Sequence, residues 1–327
     1  MHVMGFRLTS LGLALLIWVA PLQASAQPTA QEKDTAVGES AVVDELAPVV
    51  VHMPGPALWR VSQGQGEVVV LAYFQPLPHS LDWPKGRIVA ALRGAKDVLA
   101  PPDPKLGAWD AINIALALPS LHNAHGHTLD QVTSPTDYQR FLRFAALAHT
   151  DPKHYAHWRP LVAGAALIED VRRTTGLSSA KPVSTVTHLA KDAKVPVHTV
   201  GKVGVGNLLR GVGHISAAQE QGCFHALLDE LEWETTTARR AGEAWAGADL
   251  VALRSLRPPT GLELCTETVP SLHAVIEQET REAVERIVGA LGQPGKTVVL
   301  VDLRYLDRRN GLLDQLKARG ATISTPQ

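Results

Sequence analysis

The closing stretch of this chain, residues 272–324, leaves the fewest architectures open. Leu272, Val275, Ile276, Ala283, Val284, Ile287, Val288 and Leu291 recur at three-and-four spacing, which lays one apolar stripe along a helix that ends at Gly292 with Pro294 beyond it. The apolar, β-branched run 297–301 then suits a buried strand. Leu312, Leu313 and Leu316 form a second helical stripe closed by Gly320, and residues 322–324 give a last strand. Such alternating elements bury their apolar faces by stacking in layers, so the fold class is α/β, a central β-sheet flanked by helices.

The same alternation appears upstream. A valine-rich strand at about 67–73 runs into a proline-containing loop, a helix at about 85–92, and a short strand at 95–99 that stops at Pro101-Pro102. From about 108 to 256 helical periodicity dominates, with Leu142, Ala145 and Ala146 on one stripe and Leu161, Ala165 and Ile168 on another. The segment 195–200 interrupts it as a strand after a helix at about 183–193. A helix pair at about 220–231 and 237–245 precedes the breaker Pro258-Pro259. The expectation is one α/β domain over 56–327 with a largely helical insertion at about 108–256.

The first residues carry an export address. Arg7 supplies the positive start, Leu11 to Leu22 the apolar core, and Ala24-Ser25-Ala26 a small-residue cleavage site, so residues 1–26 are expected to be a signal peptide. The apolar run is short of the roughly 20 residues that span a bilayer. Residues 27–55 read as a flexible leader, with 49–51 able to add a strand at its end. The expected location is periplasmic or secreted, with no membrane span after cleavage. The chain has 31 Lys and Arg against 32 Asp and Glu. That balance recruits neither nucleic acid nor anionic lipid through bulk charge. Its two cysteines, Cys223 and Cys265, are expected to form a disulfide in an oxidising compartment, a reactive thiol near His225 or His214 being the alternative.

Pro56-Ala57-Leu58-Trp59-Arg60-Val61 before Val68-Val69-Val70-Leu71, then Leu77-Pro78 and Leu81-Asp82-Trp83, Trp158-Arg159-Pro160-Leu161 with Ala165, and Lys194-Val195-Pro196-Val197 form local patterns that resemble the TraB/GumN family, which includes Tiki-type metalloproteases. Trp245 with Gly247, Asp249, Leu250 and Leu253 follows the same pattern, and Gly311-Leu312-Leu313-Asp314-Gln315-Leu316 with Ala318-Arg319-Gly320 is the most specific match. The resemblance implies an α/β scaffold with a metal held by two Gly-x-x-His strand ends. Here the first reads Ala72-Tyr73-Phe74-Gln75 and the second, on the strand before Gly311, reads Asp302-Leu303-Arg304-Tyr305. The family's acidic positions fall on Pro101 and near Gly201, and its Arg-Asn pair falls on Glu279 and Thr280.

Neutral Gln and Tyr are poor donors for a divalent transition metal, and without a metal no bound water is activated. The expectation is therefore an exported protein without family catalysis or cofactor, a scaffold for an unknown protein or peptide partner in the envelope. A residual cleft of Gln75, Asp302, Arg304 and Tyr305 is expected where the strands at 67–73 and 297–301 meet, with Asp302 and Arg304 as an ion pair. The alternative is a divergent hydrolase with a transition metal rebuilt on His122, His125 and His127, close to Asp130; imidazole suits Zn, Cu or Ni, and the competing reading is a polar loop that carries histidines. His149, His154 and His157 are read as surface and cap groups. Gly201-Lys202-Val203-Gly204-Val205-Gly206 lacks P-loop spacing and is read as a linker, and no Gly-x-Ser-x-Gly elbow occurs.

Overall fold

The computed structural model describes residues 53–101, 116–200, 215–258, 263, 265, 269–306, 310–324 and 326. Residues 1–52, on which the expected signal peptide, most of the expected leader and the strand expected at 49–51 fall, and the 201–206 glycine run lie outside them.

Six strands form the central sheet, in the order β6-β4-β7-β2-β1-β8. β2 (Gly66–Tyr73) and β7 (Gly295–Asp302) lie side by side and parallel, with Val68 opposite Thr297, Val70 opposite Val299 and Tyr73 opposite Asp302. β4 (Ala95–Ala100) continues the parallel set beyond β7, and β6 (Val197–Thr199) closes that side. On the other side β1 (Leu58–Gln63) pairs antiparallel with β2, and β8 (Thr322–Ser324) with β1. The β1–β2 hairpin is an addition to the sequence reading. A small second sheet pairs β3 (Leu77–Pro78) with β5 (Leu177–Ser178).

Strand alternation sorts the β2 side chains onto two cores. Val69, Leu71 and Tyr73 face one cluster with Leu300, Trp233 and Trp245, while Val68, Val70 and Ala72 face another with Val284, Ile287 and Leu291. Both faces are covered, which is why these strands are apolar without interruption. The first face receives α1 (Gly86–Leu92).

A helical layer follows in the chain: α2 (Leu129–Val132), α3 (Pro135–Leu147), α4 (Pro160–Thr175), α5 (Lys181–Asp192) and α6 (Ala217–Thr236). Of these α5 packs on the first face of the sheet through Val186 and Ala190. Phe141, Tyr155, Leu167, Phe224 and Leu228 fill a third core between α3, α4 and α6. There Gly164 permits close helix contact, since a Cβ would stand 2.8 Å from Leu227 Cδ1. The expected helical stretch is present in the middle of the chain, and it is tied to the central sheet by β6, within the strand expected at 195–200, and by Trp233 of α6.

α6 runs longer at both ends than the expected 220–231; Ser216 and Gln219 form a capping box at its start. α7 (Ala238–Ala246) and α8 (Leu250–Ser255) follow, then α9 (Pro270–Leu291) on the second face. Gly66 passes directly beneath the end of α9, where any Cβ would lie 2.1 Å from the Leu291 carbonyl oxygen. Cys223 and Cys265 form the expected disulfide, 42 residues apart in sequence, tying α6 to the segment before α9.

Candidate functional site

The carboxyl ends of β2 and β7 are neighbours, yet their chains leave toward opposite faces. After β2 the chain turns to α1 on the first face; after β7 it enters α10 (Leu303–Leu306) and α11 (Leu312–Ala318), whose Leu306, Leu312 and Leu316 pack on the second. A crevice at such a switch point is where open α/β sheets place ligands.

Gln75 stands two residues beyond β2, before a cis peptide bond to Pro76. Its Nε2 donates to Asp302 Oδ2 at 2.6 Å. Asp302 Oδ1 in turn accepts from the Arg304 backbone N–H at 2.9 Å and from Arg304 Nε at 3.3 Å, and Oδ2 accepts from Nη2 at 3.2 Å. The side chain of Asp302 is 6% exposed and that of Arg304 31%. Asp302 and Arg304 thus form the ion pair expected from the sequence, although the second motif continues as a helical turn and not as a strand. The strand ends at Asp302, and the helical turn Leu303–Leu306 brings Arg304 back onto that carboxylate.

The loop after Gln75 is clamped from α5, where Lys181 Nζ donates to the carbonyls of Pro78 at 3.1 Å and Leu81 at 2.7 Å, and also to His79. Burial and the neighbouring Lys85 lower the Lys181 pKa. Behind β2, Trp245 Nε1 donates to the Ala72 carbonyl at 2.8 Å. Both strand ends are thus fixed by long-range contacts.

α6 adds two carboxylates beneath this edge that the sequence reading missed. Glu234 is held by Arg172, whose Nε donates to both oxygens at 3.2 and 3.0 Å. Burial pushes Glu234 above the usual carboxylate range, while Arg172 works against that rise. Glu230, one turn earlier and 4% exposed, is raised by burial to about 7, opposed by the charge of Arg304 and reinforced by Glu234 and Asp302. Arg304 is held above its ordinary value: burial acts to lower it, and Asp302, with Tyr305 and Glu230, acts to raise it. The signal was present in the sequence, since Glu230 and Glu234 fall on the stripe of Leu227 and Leu231 that faces the core.

Around the crevice, Pro101, Thr280, Asp302 and Tyr305 line one cavity together with Val200, the residue next to Gly201. Of the positions that the resemblance assigns to family chemistry, Pro101, Thr280, Asp302 and Tyr305 thus meet at one cavity, and Gln75 is bonded to Asp302. A profile of the TraB/PrgY/gumN family matches residues 57–325. The chain belongs to that family. Comparison with curated proteins and with solved structures gives no match.

The residues at the family's metal position do not fit a divalent transition metal. Gln75 and Tyr305 offer neutral oxygen donors, and both Asp302 oxygens are engaged by Gln75 and by a guanidinium whose charge opposes any nearby cation. Pro101 carries no ligand atom in its side chain, Glu279 has no described side chain, and Gly201 lies outside the described residues.

The histidine motif does not converge into a ligand set. His122 Nδ1 bonds to the Leu118 carbonyl oxygen at 2.8 Å while its ring stacks on Trp158. His127 Nδ1 bonds to Gln131 Oε1 at 3.2 Å, and the His125 and His127 rings stand 6.2 Å apart. Among the described residues no group of three or more His, Cys, Asp or Glu is placed to hold a metal. Nearby, Asp151 caps the turn at Pro152–Tyr155 and His154 packs edge-on against Tyr155, consistent with cap and surface roles.

Proposed function

We propose that this TraB/PrgY/gumN family member is an exported protein that lacks the family's metal-dependent chemistry and acts as a binding scaffold for a protein or peptide of the cell envelope. The observation that carries the reading is the hydrogen-bonded chain Gln75–Asp302–Arg304, which joins Gln75, at the first histidine position of the family, to Asp302 and Arg304 of the second motif, whose histidine position is Tyr305. A fixed guanidinium takes the place of a bound cation there, and it polarises no water into a nucleophile. Export is supported by the leading Arg7, apolar core and Ala24-Ser25-Ala26, and by the Cys223–Cys265 disulfide, which suits an oxidising compartment. No described helix is long and apolar enough to cross a membrane.

The test is elemental analysis of protein purified from an envelope fraction without an affinity tag. Less than stoichiometric Zn, Mn, Fe, Co or Cu is expected, and the double substitution Gln75→His with Tyr305→His is expected to leave peptide hydrolysis absent, because Asp302, Arg304 and Pro101 still stand where ligand access and acidic groups are needed. One tightly held metal per chain, lost on replacing His122 and His125 by Ala, would favour the divergent hydrolase instead.

A further inference from the structure

We propose that the cavity between α9 and the carboxyl ends of β7 and β6 is a binding site for a small, uncharged apolar ring, of the size of a single substituted benzene. The inference rests on the scaffold reading and assigns its crevice a ligand class.

The cavity measures about 120 Å³ and is partly open to solvent. Its walls are mainly Val200, Ala283, Ile287, Val299, Val301 and Leu312. Apolar cavities of about 150 Å³ in protein cores stay dry and take up benzene, so this volume suits one ring and little more. Affinity in such a space comes from dispersion and from removing apolar surface from water.

Charge selects against ions. Tyr73, Thr280, Asp302 and Tyr305 supply the polar wall, and none of them is without a partner. A charged ligand would enter with no unengaged polar group to replace its water, which is a heavy desolvation penalty. A carboxylate meets the further obstacle of Asp302, whose negative charge lies on the wall. The Arg304 guanidinium that could attract an anion is already committed to Asp302. An uncharged ring breaks none of these bonds.

The experiment uses the full mature chain and ¹⁹F NMR. 4-Fluorotoluene is expected to show saturable line broadening, and 4-fluorobenzoate none over the same range. Ala283→Phe, which fills the cavity from α9, is expected to weaken 4-fluorotoluene about tenfold or more, a change equivalent to about 1.4 kcal/mol or more. Val200→Phe fills it from the β6 side and serves if the first variant fails to fold, with circular dichroism as the check on folding. Absence of saturable binding by the unsubstituted chain, binding of 4-fluorobenzoate as tight as that of 4-fluorotoluene, or unchanged binding by a folded filled variant would overturn the proposal. The two readings fail separately: stoichiometric metal with ring binding intact sinks the scaffold reading alone, whereas a metal-free chain that ignores the ring sinks this one alone.

Discussion

Arg172 and Arg304 meet carboxylates of the same helix and differ in how the charges are matched. Arg172 is gripped by buried Glu234 through paired hydrogen bonds, with Glu169 and Ser179 on its other nitrogen at 2.8 and 3.1 Å. Arg304 is gripped by Asp302 and also faces Glu230, so two buried carboxylates share one guanidinium. The first arrangement is a closed structural pair between α4 and α6. In the second, burial raises Glu230 to about 7 against the pull of Arg304, and the charges of Glu234 and Asp302 add to the rise. The comparison teaches that two buried carboxylates one turn apart on one helix have different consequences when one is bonded to an arginine and the other is governed mainly by burial.

Breaking the matched pair has the largest expected effect. Arg172→Leu strands Glu234 in the core without a cation and should lower unfolding free energy by about 3–5 kcal/mol, read from urea denaturation at pH 7. Loss of less than about 1 kcal/mol would mean that Glu234 has found another partner or a proton.

The unmatched region is tested by pH. Glu230 has a folded pKa of about 7 against an ordinary 4.5. A raised pKa gives stability that is complete below the unfolded value and is lost as pH climbs through the folded one, so the loss accumulates between pH 4.5 and about 7. At 1.36 kcal/mol per unit it reaches roughly 3 kcal/mol at pH 8. Glu230→Gln should flatten this slope and make the variant the more stable protein at pH 8. A variant with the same slope between pH 5 and 8 would assign the titration to another group.

The smallest expected effect comes from Gln75→Ala. It removes one hydrogen bond to a charged acceptor while leaving Arg304 on Asp302, and should cost about 1.5 kcal/mol. A much larger loss would show that Gln75, and not Arg304, is the main counter-group of Asp302.

Much of the frame was legible because burial leaves local marks. Val298 and Val299 next to Leu300, and Val68 to Leu71, announce strands covered on both faces, and the apolar stripe from Leu272 to Leu291 announces α9. The turn after Asp302 was not legible. Leu303-Arg304-Tyr305-Leu306 has no strong preference, and it curls because the Asp302 side chain accepts from the Arg304 N–H, while Gln75 holds the same carboxylate from far away in sequence. Glu230 and Glu234 escaped notice because acidic residues are ordinarily assigned to the solvent side of a helix. Only the arginines of α4 and α10, remote in sequence, make their burial tenable. His122, His125 and His127 are close in sequence, yet among the described residues no three potential ligands converge, and the chain turns at Ala124–Gly126 between them.

The place of β7 in the sheet has a consequence for the order in which the molecule can be made. β7 lies between β2 and β4 and pairs with both, yet Gln75 and Asp302, at the ends of β2 and β7, are 227 residues apart in the chain. A ribosome or export channel releases β1, β2 and β4 long before their central neighbour exists. Until residues near the carboxyl terminus emerge, two apolar strand edges remain open to wrong partners, and closure must wait for a long loop to be bridged. Vectorial synthesis therefore delivers β1, β2 and β4 and then the helical layer before the strand that closes the sheet.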